Sequence, residues 1–258
     1  MTLAEHRANI LGVGISPTNM EDALARIDTR LSGRDRGCVC VTGVHGVMEA
    51  QSDPHLRRVL CQSFLTVPDG MPLVWIGRLL GNRTMRRVYG PDLMTEVCRL
   101  SVRRGYRHFL YGGKPGVAQR LAGVLQSRFP GLQIAGASTP PFGPLSPEQE
   151  SDLAATVAAA SPDILWVGLS TPTQELFMAR HLGHLEVRLM IGVGAAFDIH
   201  TGGIRDAPGW VKAAGLQWLH RLLQEPRRLW RRYLIHNPRF VWRVSLQLLG
   251  LRRFDLPH

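Results

Sequence analysis

The chain has 258 residues, of which 45% are hydrophobic and 20% are charged, and its formal net charge is +11. These proportions are ordinary for a globular protein and argue against disorder, and no uncharged apolar stretch approaches the roughly 18 residues that a membrane-spanning helix needs. The N-terminal segment has no continuous apolar core and no small-residue cleavage site, so we expect no signal peptide. The four cysteines lack CxxC or metal-ligand spacing, so we expect buried, reduced thiols.

Short apolar runs alternate with helical patterns along most of the chain. The first run, residues 10–14, is interpreted as a strand, and apolar residues then recur at helical spacing as far as Leu31. Strand–helix alternation at this spacing predicts an α/β protein with a Rossmann-like, mostly parallel sheet covered by helices on both faces. Further strand candidates are residues 39–42, 64–67, 108–111, 132–137, 164–167 and 187–193.

The last fifty or so residues carry most of the charge. Residues 205–254 contain eleven Lys or Arg and two acidic residues, which makes +9 of the net +11. Their Trp, Tyr and Leu residues recur at the one-face spacing of a helix. A basic amphipathic helix with interfacial aromatics suits an anionic membrane surface, whereas a basic helix packed on its own domain is the alternative. The composition break predicts an α/β catalytic domain at 1–204 and a helical, membrane-binding appendage at 205–258.

Polar residues gather where the predicted strands end, which is where ligands bind in open α/β sheets. Asp69 directly follows a strand and precedes a glycine, so its carboxylate could act as a general base; a turn or helix-capping Asp is the alternative. Asp198 and Asp92 are the competing carboxylates, and the sequence around Asp92 looks most like the start of a helix. His45 also lies beside a strand end, although a lone histidine is more often structural.

A glycine-rich turn at 112–116 leads from a strand into a helix. The backbone amides at Gly112 and Gly113 could therefore hold a phosphate or a sugar hydroxyl, and a plain tight turn is the alternative. The sequence contains no DxD motif and no paired Cys/His spacing, so we expect no metal site. A nucleotide-sugar enzyme built on this chain would need arginines or helix dipoles to stabilise a departing diphosphate.

Several sequence blocks, in the same order along the chain, resemble the WecG/TagA/CpsF family of bacterial glycosyltransferases, glycosyltransferase family 26. The resemblance implies a metal-independent, inverting transfer from a UDP-sugar to a polyprenyl-diphosphate-linked sugar in cell-surface polysaccharide biosynthesis, without a cofactor. The blocks are PDGMPLVW (68–75), RVYGPDLM (87–94), FLYGGKPGVA (109–118), PDILWVGLSTPTQE (162–175), IGVGAAFD (191–198), RDAPGW (205–210) and GLQWLHRLLQEPRRLWRRYL (215–234).

The resemblance also implies roles for individual residues. Asp69 matches the family's catalytic base, which deprotonates the acceptor hydroxyl that attacks the sugar. Many members have Asn where Val44 stands, so His45 is a candidate for the missing hydrogen bond, and many have Lys where Thr173 stands. The candidate substrate-binding residues are Thr42, His45, Arg87, Gly112, Gly113, Gln174 and Asp198, and the appendage arginines that match a diphosphate-binding set are Arg221, Arg228 and Arg231.

A non-catalytic nucleic-acid-binding protein is the alternative from another class, since an arginine-rich segment also suits a phosphate backbone. No helix-turn-helix, zinc or RNA-recognition signature accompanies the charge, and the charge is confined to an aromatic-rich tail. We therefore expect a cytoplasmic enzyme attached peripherally to the inner face of the membrane, with no nucleic-acid partner. Its expected partners are a UDP-sugar, a lipid-diphosphate-linked sugar and the anionic membrane surface, and a homo-oligomer is compatible with the sequence.

Overall fold

The computed structural model describes residues 6–141 and 143–257. The first five residues of the N-terminal segment, for which we expect no signal peptide, lie outside the described residues. The chain forms two compact units. The first comprises the chain up to Ala23, Cys40–Tyr89 and Arg205–His258, and the second comprises Leu24–Val39 and Gly90–Ile204. The boundary between Ile204 and Arg205 coincides with the composition break in the sequence. The division into a catalytic domain at 1–204 and an appendage at 205–258 stays a prediction.

The strands confirm the predicted α/β class. They are β1 Ala8–Ile10, β2 Val13–Ile15, β3 Gly37–Thr42, β4 Leu65–Pro68, β5 Arg107–Gly112, β6 Gln133–Ser138, β7 Ile164–Gly168 and β8 Leu189–Gly192. Six of them form a parallel sheet in the order β4-β3-β8-β7-β5-β6. Leu110 of β5 lies opposite Trp166 of β7, and Leu165 lies opposite Met190 of β8. These strands are buried, which is why they read as apolar runs rather than as alternating patterns.

The single strand expected at residues 10–14 is wrong. The chain instead forms an antiparallel hairpin, in which Ile10 of β1 pairs with Val13 of β2. Leu11 and Gly12 make the two-residue turn with φ angles of 54° and 77°, as a hairpin turn that matches the strand twist requires. Leu11 is fully buried despite its unfavourable φ, so its apolar side chain concealed the turn within an apolar run.

The helices alternate with the strands as the sequence predicts. Asp92 is exposed in the first turn of one of them, as expected for a helix start rather than a buried site. The helices are α1 Met20–Ser32, α2 Val44–Glu49, α3 Pro54–Gln62, α4 Met71–Leu79, α5 Gly90–Arg104, α6 Val117–Arg128, α7 Pro147–Ala160, α8 Thr173–His181, α9 Ala196–His200, α10 Gly209–Ala213, α11 Gln217–Gln224, α12 Pro226–Trp230 and α13 His236–Leu248.

Two buried features of the fold carry no predicted chemistry. In the second unit the Trp166 indole donates a hydrogen bond of 2.8 Å to Nδ1 of His108, and burial lowers the pKa of His108 to about 3. The imidazole therefore stays neutral and serves as an acceptor inside the sheet. None of the four cysteines forms a disulfide, and each is buried except Cys61, which is partly exposed.

The C-terminal segment is helical, with a π-helical turn at Arg231–Ile235 that joins α12 to α13. Pro238 follows this turn within α13; it lacks an N–H group, and its ring crowds the carbonyl four residues earlier, at Leu234. A widened turn relieves that conflict. Helix α13 packs against α2 through a face that includes Phe240 and Val244. The same segment exposes Leu223, Trp230, Leu234, Val241 and Trp242.

No helix within residues 6–141 and 143–257 combines the length and the apolar character that crossing a bilayer requires.

Candidate active site

Asp69 lies at the carboxyl end of β4, beside the carboxyl end of β3. Its backbone N–H donates a hydrogen bond of 2.9 Å to the carbonyl of Thr42, the last residue of β3. Gly70 rather than Asp69 occupies the N-cap position of α4, so the carboxylate does not cap that helix. The Asp69 side chain is 35% exposed, which leaves it accessible to a ligand while its backbone is held.

Arg87 fixes the position of Asp69 and connects it to the C-terminal segment. Its Nε donates to the Asp69 carbonyl oxygen, and its terminal nitrogen lies 4.0 Å from the Asp69 carboxylate. The same nitrogen donates to Oε1 of Gln217 in α11, and the guanidinium stacks 4.2 Å above the ring of Tyr89. These contacts hold the Arg87 fork in one orientation, so it is pre-organised for an anion.

A second carboxylate extends this network. The Tyr89 hydroxyl donates to Asp206 at 2.7 Å, and Lys212 donates to the other oxygen of Asp206 at 2.9 Å. Burial opposes ionisation of Asp206, but the hydrogen bonds from Lys212 and Tyr89 lower its pKa overall. Sequence reasoning missed these residues, although they fall in or next to two of the blocks that carry the family resemblance.

The appendage arginines converge on one acid. Arg221 and Arg228 both donate to Glu225, at 3.1 and 2.7 Å. Burial opposes ionisation of Glu225, yet the two arginines lower its pKa. Glu225 therefore holds two guanidinium groups side by side on α11 and α12, and it offsets one of their two positive charges.

Arg231 and Arg232 differ in their surroundings. Arg231 is exposed and lies 5.2 Å above the ring of Trp230. Arg232 is half-buried, and its Nε has no hydrogen-bond partner among the described residues. Burial lowers the pKa of Arg232 and the charges of Arg221 and Arg228 act in the same direction, whereas Asp69 raises it. Arg232, in the π-helical turn, therefore lies close enough to Asp69, Arg221 and Arg228 for their charges to act on it.

Thr42 and His45 flank the same strand end. The Thr42 hydroxyl oxygen is buried and has no hydrogen-bond partner within the described part of the chain, so its hydrogen-bonding capacity is unused. His45 lies in α2, with Nδ1 3.5 Å from the carboxylate of Glu49. The first unit thus brings together Thr42, His45, Asp69, Arg87, Arg221 and Arg228.

His45 also belongs to a grouping that the sequence did not predict. Nε2 of His236 lies 3.8 Å from the same Glu49 oxygen, and the two imidazole rings are 5.4 Å apart. The three potential ligand atoms lie within 4.8 Å of one another, which is compact enough to hold a metal ion. A carboxylate between two imidazoles is equally an arrangement that hydrogen bonds and ion pairs favour, so metal independence stays a prediction.

The remaining candidates lie in the second unit. The amide of Gly113 donates to the Gly168 carbonyl at 3.0 Å, so this amide is already used within the fold. Gly112 has a φ of 139°, and a Cβ there would lie 2.6 Å from the Gly168 oxygen. Glycine is required at 112 because two strand ends approach closely, which favours the tight-turn interpretation over a phosphate cradle.

Gln174 and Asp198 occupy different settings in that unit. The Gln174 side chain is buried in α8, and its Nε2 donates to Glu175 at 3.0 Å. Asp198 is partly exposed in α9, where its backbone carbonyl accepts from the amide of Ile204 at 3.1 Å. Each stays a predicted substrate-binding residue.

Comparison with known proteins places these residues in a family context. The model of the glycosyl transferase WecG/TagA/CpsF family matches residues 8–254. Two similar proteins are both named N-acetylglucosaminyldiphosphoundecaprenol N-acetyl-beta-D-mannosaminyltransferase. The one from Bacillus spizizenii (strain ATCC 23059 / NRRL B-14472 / W23) is 30% identical over 212 residues, which is 82% of this chain and 80% of the relative. The one from Bacillus subtilis (strain 168) is 32% identical over 176 residues, or 68% and 66% of the two chains.

Proposed function

Because the chain belongs to the WecG/TagA/CpsF family of glycosyl transferases, we propose that it transfers a sugar from a UDP-sugar to a polyprenyl-diphosphate-linked sugar, with inversion and without a metal ion. The names of the two relatives support the acceptor, since both describe transfer to a diphosphoundecaprenol-linked sugar. The product would enter cell-surface polysaccharide biosynthesis.

The observation that carries the proposal is the contact of Arg87 with both Asp69 and Gln217. It joins a candidate base at a strand end to α11, the helix that bears Arg221. In this proposal Asp69 accepts the proton of the acceptor hydroxyl, the hydroxyl oxygen attacks the anomeric carbon, and the bond from that carbon to UDP breaks. General base catalysis of this kind contributes roughly 10²–10⁴-fold in rate.

The arginines are proposed to bind the diphosphate of the lipid-linked acceptor. Arg221 and Arg228 are already paired on Glu225, and Arg231 extends the set that the family resemblance implies. Arg232 is added because it interacts electrostatically with Asp69, Arg221 and Arg228. Guanidinium groups suit this task because they bind phosphate oxygens in a bidentate manner.

The membrane role is proposed from the exposed face of the same segment. Leu223, Trp230, Leu234, Val241 and Trp242 are exposed on a segment rich in arginine. Apolar and aromatic side chains beside cations suit the headgroup region of an anionic bilayer. The acceptor's diphosphate lies at that depth, so peripheral attachment to the inner face would bring the arginines to it.

The test is reconstitution with the full-length protein. A thermal-shift screen over a panel of UDP-sugars should identify one stabilising donor, and a short-chain lipid-diphosphate-linked sugar should then yield a product whose new linkage is inverted. Absence of transfer from every UDP-sugar would refute the proposal. Flotation with anionic liposomes, compared with a salt-titrated DNA shift, tests the alternative, which predicts salt-sensitive DNA binding and no flotation.

A further inference from the structure

Two adjacent polar side chains at the start of α8 are buried as deeply as the core. Glu175 is 0% exposed and Gln174 is 2% exposed. A carboxylate is almost never buried to this extent unless donors satisfy it, because its desolvation is costly. The deep burial of Glu175 therefore indicates a defined task for its oxygens.

The carboxylate of Glu175 holds the Gln174 amide in one orientation. Oε1 of Glu175 accepts from the Thr171 hydroxyl at 2.9 Å and from Nε2 of Gln174 at 3.0 Å. Because this carboxyl oxygen accepts both bonds, the NH₂ end of the amide faces Glu175. The oxygen end of Gln174 is consequently directed away from Glu175.

That oxygen is an unused acceptor. Oε1 of Gln174 is buried and has no hydrogen-bond partner among the described residues. Two glycines let the backbone at the end of β8 pack closely against this amide: a Cβ at Gly192 would lie 3.2 Å from the Gln174 amide, and a Cβ at Gly194 would lie 3.5 Å from Oε1. Gly192 ends β8, and the carboxyl ends of parallel strands are where α/β proteins bind ligands.

We propose that Glu175 is a positioning residue that makes Gln174 an obligate acceptor, so that the site selects a ligand with an N–H or O–H group at this point. A buried acceptor without a partner is unfavourable until such a donor arrives, and it rejects a ligand that presents an acceptor instead. This inference rests on the proposed function, under which the donor is the N3–H of uracil or a hydroxyl of the UDP-sugar.

The proposal predicts how substitutions at the two positions combine. In Glu175→Gln the side-chain amide can donate as well as accept, so Gln174 is free to turn its own NH₂ towards the ligand. Affinity measured by calorimetry should fall about tenfold, for UDP if the donor is uracil or for the UDP-sugar if the donor is a sugar hydroxyl. The same change in a Gln174→Met background should alter that affinity less than twofold. Glu150→Gln, which changes a partly exposed acid of the same unit, is the control and should leave affinity unchanged.

An exchange variant provides the sharpest test. In Gln174→Glu combined with Glu175→Gln, the new amide donates to the new carboxylate, whose second oxygen again offers only an acceptor to the ligand. This variant should regain most of the affinity that Glu175→Gln loses. Thr171→Val, which weakens the hold on Glu175 but keeps its charge, covers the case in which Glu175→Gln does not fold, and its loss of affinity should likewise vanish in the Gln174→Met background.

Three ligands separate the sources of the donor group. A loss of affinity for UDP that N3-methylation of the base reproduces assigns the donor to uracil, whereas a loss seen only with UDP-sugars assigns it to the sugar. Additive effects of the two substitutions, or an exchange variant that folds without regaining affinity, would overturn this inference and leave the proposed function standing. Wild-type protein that binds neither UDP nor any UDP-sugar would overturn the proposed function, and this inference with it.

Discussion

Replacement of Asp69 by Asn separates catalysis from folding more cleanly than any other single change at the site. Two hydrogen bonds hold the backbone of residue 69: its N–H donates to the Thr42 carbonyl, and its carbonyl accepts from Nε of Arg87. Asn retains both. The side chain is 35% exposed, so an amide there leaves no deeply buried polar group unsatisfied. The substitution therefore removes the negative charge and the proton-accepting oxygen while the local geometry is retained.

The expected cost in stability is small. The Asp69 carboxylate lies 4.0 Å from a terminal nitrogen of Arg87 and is open to solvent, and an ion pair of this kind contributes about 0–1 kcal/mol. In a protein of this size, 1 kcal/mol corresponds to a shift in melting temperature of roughly 2–4 °C. The expected loss in turnover is about 10²-fold or more, which is about 2.7 kcal/mol of transition-state stabilisation.

The assay measures turnover on a short-chain lipid acceptor, UDP affinity and the melting temperature for wild type and three variants. Asp69→Asn should lose turnover while its UDP affinity and melting temperature stay close to wild type. Asp92→Asn, in an exposed first helical turn, is the matched control, and Asp198→Asn tests the competing carboxylate. Near-normal turnover of Asp69→Asn would refute the assignment of the base, and a melting point lowered by far more than 4 °C would refute the reasoning about its backbone contacts.

Three further predictions concern the tail, metal dependence and acid stability. Arg232→Lys should lower kcat/KM for the lipid acceptor about tenfold with little change in liposome flotation, because an ammonium cannot reproduce the bidentate guanidinium fork. Arg227→Lys, at an exposed arginine, is the control. An unchanged rate for Arg232→Lys would show that the other arginines bind the diphosphate without it. Activity should survive EDTA; loss that Zn²⁺ restores in wild type but not in His236→Ala would instead assign a metal to the His45, Glu49 and His236 grouping. Burial lowers the pKa of His108 to about 3, so the unfolded chain binds a proton below about pH 6.5 that the folded chain refuses. This effect alone should lower the free energy of unfolding by about 1.4 kcal/mol for each pH unit of acidification across that window. His108→Gln, which keeps an acceptor for Trp166, should lack that contribution in urea titrations at pH 7 and 4.5. An equal dependence of the free energy of unfolding on pH in wild type and variant would contradict the prediction.

Local patterns along the chain were sufficient for the fold class and for placing one candidate residue at a strand end. Buried parallel strands read as apolar runs, and their alternation with helices predicted the sheet from the sequence. Asp69 was identified because strand ends collect polar residues, and the structure places it there beside Thr42. The hairpin at β1 and β2 was missed because a buried leucine, rather than a polar residue, shares the turn with Gly12.

Tertiary structure alone decided which distant residues meet. Arg87 and Gln217 are 130 positions apart, and no spacing rule relates them. Helical periodicity cannot separate Arg231 from Arg232, since both lie within one turn of Arg228; the π-helical turn and its burial assign the half-buried position to Arg232. Sequence patterns report the repeat of one helix or strand, whereas the site depends on how several elements pack, and that packing is set by side-chain shape and burial over long separations in the chain.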